Sequence, residues 1–252
     1  MIQSSFAHAV RKRQLSAFFE PVIELATGTI VAVEARARLS VVPTGAPASA
    51  REVLARARQA HAEWLLDQAM LNNAIEALQQ LAGSGVELPL RVNLTDVTAR
   101  LHSQELIEFL HKVEVPPERL ALEVPATAFV EASTSLSALV AHVNGLGISV
   151  ILDHFNSAVH SYVQDWTGIS GIKLDENLVA RASIDGEVSD QLERACALAH
   201  ERRIRVGAEG LVRMDQINLL KKLGCDEAQG PLISRPRSLG VLTPLLRQGS
   251  VW

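Results

Sequence analysis

Long apolar runs are missing from this 252-residue chain: no stretch reaches about 18 apolar residues, which excludes a membrane-spanning helix. The opening residues, MIQSSFAHAVRKRQ, hold no apolar segment of the kind a signal peptide requires. Cysteine is scarce, and Cys196 and Cys225 form neither a metal-ligand nor a redox spacing, which points to a reducing compartment. Neither sign of charge dominates. With 24 basic and 28 acidic residues the formal net charge is −4, leaving no basic footprint for nucleic acid. No Gly/Ser linker or low-complexity segment divides the chain, so one domain over 1–252 is expected, its core between about residues 15 and 248. No GxGxxG follows the first strand, which argues against an open doubly wound sheet. A soluble, cytoplasmic protein is the expectation.

What the chain does have is a rhythm of strand, loop and helix. Ser4–Ser16 reads as an amphipathic helix. Phe18–Leu25 and Ile30–Leu39, separated by Ala26-Thr27-Gly28, read as an antiparallel hairpin. Val41–Ala50 reads as a loop, and Arg51–Leu81 as helix broken near Gln59–His61. Strands are expected at Leu90–Leu94, Leu120–Val124, Ile148–Asp153, Ile169–Leu174, Ile204–Ala208 and Cys225–Ala228. Helices are expected at Gln104–Lys112, Ser133–Leu146, Val159–Asp165, Glu187–Arg203, Met214–Leu223 and Leu239–Gln248. The fold class is α/β: a modified (β/α)8 TIM barrel with an antiparallel first strand.

The buried runs end, one after another, on polar residues. In such a barrel the C-terminal strand ends build the active face, and those positions read Glu34, Asn93, Glu123, Asp153, Lys173, Glu209 and Gln229. Read singly, each has an ordinary explanation. Lys173 is a salt-bridge partner, Glu123 caps the turn at Pro125, Asn93 braces Thr95 and Asp96, and Asp175 caps a helix. Jointly, four carboxylates at one mouth demand protons, cations or separation, because like charges about 4 Å apart repel by about 4 kcal/mol at an effective dielectric near 20. Hard oxygen ligands suit Mg²⁺, Mn²⁺ or Ca²⁺ rather than zinc.

These residues resemble the EAL domain of bacterial cyclic-di-GMP signalling. FFEPVIELATGTIVAVEARARL resembles its opening strands, RVNLT its asparagine strand and LALEV its glutamate strand. ILDHF, IKLD, VGAEGL and GCDEAQGPLISRP resemble the later ones, so that the likeness runs from Phe18 to Pro236. The resemblance implies hydrolysis of cyclic-di-GMP to linear pGpG with two Mg²⁺ or Mn²⁺ ions, paired metals clamping the attacking and leaving oxygens. It implies Glu34, Asn93, Glu123 and Asp153 as ligands of one metal, and Glu209 on the metals. Lys173 would hold the attacking water, Arg38 a phosphate, and Gln229 the nucleotide site.

The chain departs from the family pattern at one functional unit. His154 replaces the aspartate that holds the second metal, and imidazole is a poor ligand for Mg²⁺. Asn156-Ser157-Ala158 replaces Gly-Thr-Gly, Ala126 a bracing glutamate and Val212 a late acidic residue. Arg36 replaces the leucine of the name motif and Glu20 a glutamine. At most one metal site is therefore expected, and phosphodiesterase activity absent or very weak. The expected function is a catalytically inactive cyclic-di-GMP receptor or regulator, with Arg38, Gln229 and Arg36 toward the ligand. A protein-interaction regulator that ignores the nucleotide and a slow phosphodiesterase are the alternatives. No sensor, GGDEF or output domain is visible, so output is expected through an unidentified protein partner. A family-like homodimer is compatible with the resemblance, although its usual contact loop is altered.

Overall fold

The computed structural model describes residues 2–40, 46–155 and 166–252, and in it eight strands close into one barrel. They are β1 Leu15–Glu24, β2 Ile30–Leu39, β3 Leu90–Asn93, β4 Leu120–Pro125, β5 Ser149–Phe155, β6 Ile169–Leu174, β7 Arg205–Ala208 and β8 Glu227–Ala228. β1 runs antiparallel to both neighbours, β2 and β8, and the other pairs are parallel. The expected barrel with its reversed first strand is the fold observed.

Around it lie α1 Ile2–Arg11, α2 Ala50–Gln59, α3 Glu63–Gly83, α4 Asp96–Leu101, α5 Ser103–Leu110, α6 Ala128–Gly145, α7 Glu176–Ala182, α8 Gly186–Glu201, α9 Met214–Lys222 and α10 Leu239–Gln248. The first helix stops five residues before the expected Ser16. Arg13 takes a left-handed φ of 53°, and β1 begins at Leu15 rather than Phe18. The break near Gln59–His61 separates α2 from α3, with His61 at φ 45°. Helix α6 starts at Ala128 instead of Ser133, but its backbone leaves helical geometry at Ala132 (φ −149°), beside the expected start. The helical piece expected at Val159–Asp165 and the Asn156-Ser157-Ala158 loop lie outside the described residues.

Two glycines are required by the fold. Gly28 closes the β1–β2 turn at φ 75°, and a Cβ there would sit 2.6 Å from the indole nitrogen of Trp252. Gly230 follows the last strand at φ 152°, where a Cβ would come within 2.4 Å of the Leu211 backbone nitrogen. The chain passes so closely because Leu211 donates its N–H to the Gln229 carbonyl.

Alternate strand positions point inward. Below the mouth, Arg91, Ala121, Gly171, Gly207 and Glu227 leave a cavity of about 330 Å³ toward the N-terminal end of the barrel, where branched side chains would ordinarily fill it. Arg91 Nη2 donates to Glu227 Oε2 at 2.5 Å, and Arg205 Nε donates to the other oxygen at 2.8 Å. Each buried charge at this level is thereby paired.

Helix α4, too short for periodicity to reveal, is positioned by a buried carboxylate. Asp67 of α3 accepts from the Thr95 N–H at 2.7 Å and its hydroxyl at 2.8 Å, while Thr95 caps α4 through Thr98 N–H. Burial pushes Asp67 up to about 7, against the lowering effect of those hydrogen bonds. Its folded form therefore holds a proton that the unfolded chain has lost. Stability from this group is greatest below about pH 4 and falls as pH rises to about 7, by an upper limit of about 4 kcal/mol. Asp67→Asn should flatten that slope in urea titrations between pH 4 and 7. A variant with the parent's pH slope would exclude this assignment.

Candidate functional site

The barrel brings all seven expected mouth residues to its C-terminal end, but not as seven strand termini. Glu34 lies in the middle of β2, which runs on past it to Arg36 and Arg38. Barrel closure staggers the strands, so Glu34 stands level with Arg91 while Asn93 is level with Glu123.

At the centre is the Lys173 ammonium, 1% exposed. It lies 3.2 Å from Glu34 Oε2, 2.8 Å from Glu209 Oε1 and 3.6 Å from Asp153 Oδ1, and it donates to Glu123 Oε2. Burial alone would favour a neutral amine. Asp153, Glu123, Glu209 and Glu34 instead hold its pKa well above the ordinary lysine value. The same balance sorts the carboxylates. Burial, with Glu34 adding, pushes Glu123 up to about 8. Burial also raises Asp153, against the pull of Lys173. For Glu209 burial is overcome by Lys173 and Arg36, which bring it to about 2. For Glu34 the same two cations outweigh burial and lower it. At neutral pH Glu123 therefore favours its protonated form, while Lys173 and Arg36 keep Glu34 and Glu209 ionised.

Arg36, expected to face the ligand, turns into the ring. Its Nη2 donates to Glu209 Oε1 at 2.8 Å, and its Nε lies 3.3 Å from Glu20 Oε2 and 3.1 Å from Glu34 Oε1. Glu20 is the participant that inspection of strand ends overlooks. The hairpin register holds the signal, because Glu20 pairs directly with Glu34 across β1 and β2. Like charges opposite each other destabilise a sheet, and Arg36, on the same face as Glu34, bridges the two. Burial still raises Glu20 to about 7, with Arg36 opposing.

Asn93 does not brace the following loop; Asp67 does. The Asn93 amide donates to Glu34 Oε1 at 2.5 Å, and the Gln229 amide donates to Glu34 Oε2. Arg38 is half-buried, its Nη1 donating to the Ala37 carbonyl at 2.8 Å and its guanidinium 5.6 Å from the Phe18 ring centre. Among the described residues it makes no ion pair. His154 adopts a left-handed φ of 53°, its ring half-exposed between Asp153 (Nε2 to Oδ2, 3.5 Å) and Asp175 (Nδ1 to Oδ2, 3.5 Å). Asp175 also caps α7 through the Asn177 N–H, as the sequence implied.

Hard divalent ions suit this donor set. Glu123 Oε1 and Gln229 Oε1 are buried acceptors without a donor among the described residues, and Asp153, His154 and Glu209 offer ligand atoms within 4.8 Å of one another. Glu34 is different. A carboxylate offers about four lone-pair sites, and its Oε1 faces Asn93 and Arg36 while its Oε2 faces Lys173 and Gln229. It can join a metal only by releasing one of these. The residues thus fit a divalent ion beside Asp153, where His154 and Glu209 lie within reach and Glu123 Oε1 is open.

The molecule is an eight-stranded α/β barrel with a reversed first strand, its mouth holding an acidic ring around a buried lysine with side chains able to hold a divalent ion. The profile of the EAL domain matches residues 3–236, and the chain belongs to that family. "Cyclic di-GMP phosphodiesterase PA2567" of Pseudomonas aeruginosa is 25% identical over 222 residues, 86% of this chain and 38% of that protein. The chain thus spans well under half the length of this curated relative. A solved structure described as "PaMucR Phosphodiesterase, c-di-GMP complex" superposes with a TM-score of 0.83 at 20% identity, covering 96% of this chain and 99% of that one. The "Xanthomonas citri FimX EAL domain in complex with c-diGMP" does so at 0.81 and 18%, covering 94% and 93%. No helix among the described residues is long and apolar enough to cross a membrane.

Proposed function

We propose that the chain is a degenerate EAL domain that binds cyclic-di-GMP without cutting it, a receptor or regulator in bacterial cyclic-di-GMP signalling. The observation that carries this reading is at β5: near its end the strand reads Asp153-His154, with an imidazole where the family places its second-metal aspartate. In-line phosphodiester hydrolysis draws on two ions that stabilise attacking and leaving oxygens, and this ring suits one. Mg²⁺ or Mn²⁺ on Glu123 and Asp153, with Asn93 and Glu34 nearby, would supply charge toward a bound phosphate. Lys173 and Glu209, whose family roles are catalytic, serve here to close the ring.

Binding chemistry survives at the rim. Among the described residues, Arg38 has a guanidinium without a carboxylate partner and Gln229 a buried amide oxygen without a donor. Solved relatives described as cyclic-di-GMP complexes support the same ligand for this barrel. Signal output would then pass to an unidentified protein partner or through a homodimer.

The test is calorimetric titration of cyclic-di-GMP into the protein with Mg²⁺ present. A saturating one-site isotherm without continuing heat of turnover is expected, and Arg38→Ala should weaken affinity by about tenfold or more, as loss of a charged hydrogen bond does. Unchanged affinity in that variant removes Arg38 from the site. A flat trace for the parent overturns the receptor reading in favour of a protein-interaction module, and sustained heat favours a slow phosphodiesterase.

A further inference from the structure

We infer that Arg36 is a built-in cation that takes the place of one divalent ion, closing the carboxylate ring on its Glu20–Glu34–Glu209 side and excluding metal from it. The geometry carries this. One guanidinium meets three carboxylates from three strands: Glu20 of β1, Glu34 of its own β2, and Glu209 just beyond β7. Glu209 Oε1 is shared between Arg36 and Lys173, at 2.8 Å from each, so this oxygen already faces two cationic donors. Glu34 has all four lone-pair directions occupied. An incoming ion on this side would have to displace a contact from Glu34, share Glu209 with two cations, and stand beside a fixed positive charge.

Glu20 belongs to the same device. A glutamate directly opposite Glu34 adds repulsion that a nearby cation relieves, and Arg36 Nε lies within 3.3 Å of both. The pair of residues acts as one unit: Arg36 neutralises the ring, and Glu20 holds the guanidinium turned inward rather than toward the mouth. Arginine suits this role because its planar fork stays charged and spans several carboxylates, where lysine would present a single point. The inference needs no nucleotide, so the receptor reading can fail without it and it without the receptor reading.

Mn²⁺ titration of the free protein, followed by the electron paramagnetic resonance of unbound Mn²⁺, tests it. The parent should take up at most one ion. Arg36→Leu should take up a further ion, or bind Mn²⁺ about tenfold more tightly, because a charged competitor and its hydrogen bonds are gone. Should Arg36→Leu fail to fold, Glu20→Gln provides the second arm. It removes one anchor of the guanidinium while keeping a neutral side chain of the same length, and it too should raise Mn²⁺ affinity. Two ions bound by the parent, or a parent-like titration for a folded Arg36→Leu or Glu20→Gln, overturns the inference.

Discussion

Lys173→Met is expected to lower the unfolding free energy by about 3–5 kcal/mol near pH 8, the range found when one member of a buried ion pair is removed. The ammonium is 1% exposed and faces Glu34, Glu123, Asp153 and Glu209, all of them buried. Without it those carboxylates must take up protons or remain as uncompensated buried charge. Their folded-state pKa values rise in the variant, so the folded state binds more protons than the unfolded one. Stability must then fall with rising pH more steeply than in the parent. Urea unfolding at pH 5.5 and 8, in EDTA so that no metal fills the gap, measures this. A variant equally stable at both values would mean that the ring is not held together by Lys173.

Joining Arg36→Leu with His154→Asp, and restoring glycine at Asn156 and Ala158, is expected to raise cyclic-di-GMP hydrolysis by about a hundredfold or more over either substitution alone. Two separate obstacles stand in this ring. His154 presents an imidazole where a hard ion prefers a carboxylate, and Arg36 holds Glu34 and Glu209 in ion pairs. Removing one leaves the other, so the effects should be strongly non-additive, as they are for groups that act as a unit. Formation of pGpG with Mn²⁺ is the measurement. A combined variant that binds Mn²⁺ and cyclic-di-GMP yet stays at the parent's rate would place the loss of catalysis elsewhere.

Much of this was written along the chain. Apolar runs that give way to Asn93, Glu123, Asp153 and Lys173 at or near their ends announce a barrel with a polar mouth, because period and local composition are legible along the chain. The hairpin of β1 and β2 is local too, and with it the reversed first strand. Helix α4 escaped because six residues are too few for a period; what positions it is Asp67, distant in sequence, reaching Thr95.

The ring residues and the family's pattern were determined by the sequence itself, since they depend on residue type and order. Only the tertiary structure decided where the charged groups point. Arg36 is equally able, from its type, to meet a phosphate, stack on a base or pair with an acid. Closing the barrel brought Glu209 across to it from β7 while the hairpin register put Glu20 against Glu34. With three carboxylates inside and water outside, the guanidinium turned inward, where its charge is matched at short range in a medium that screens poorly.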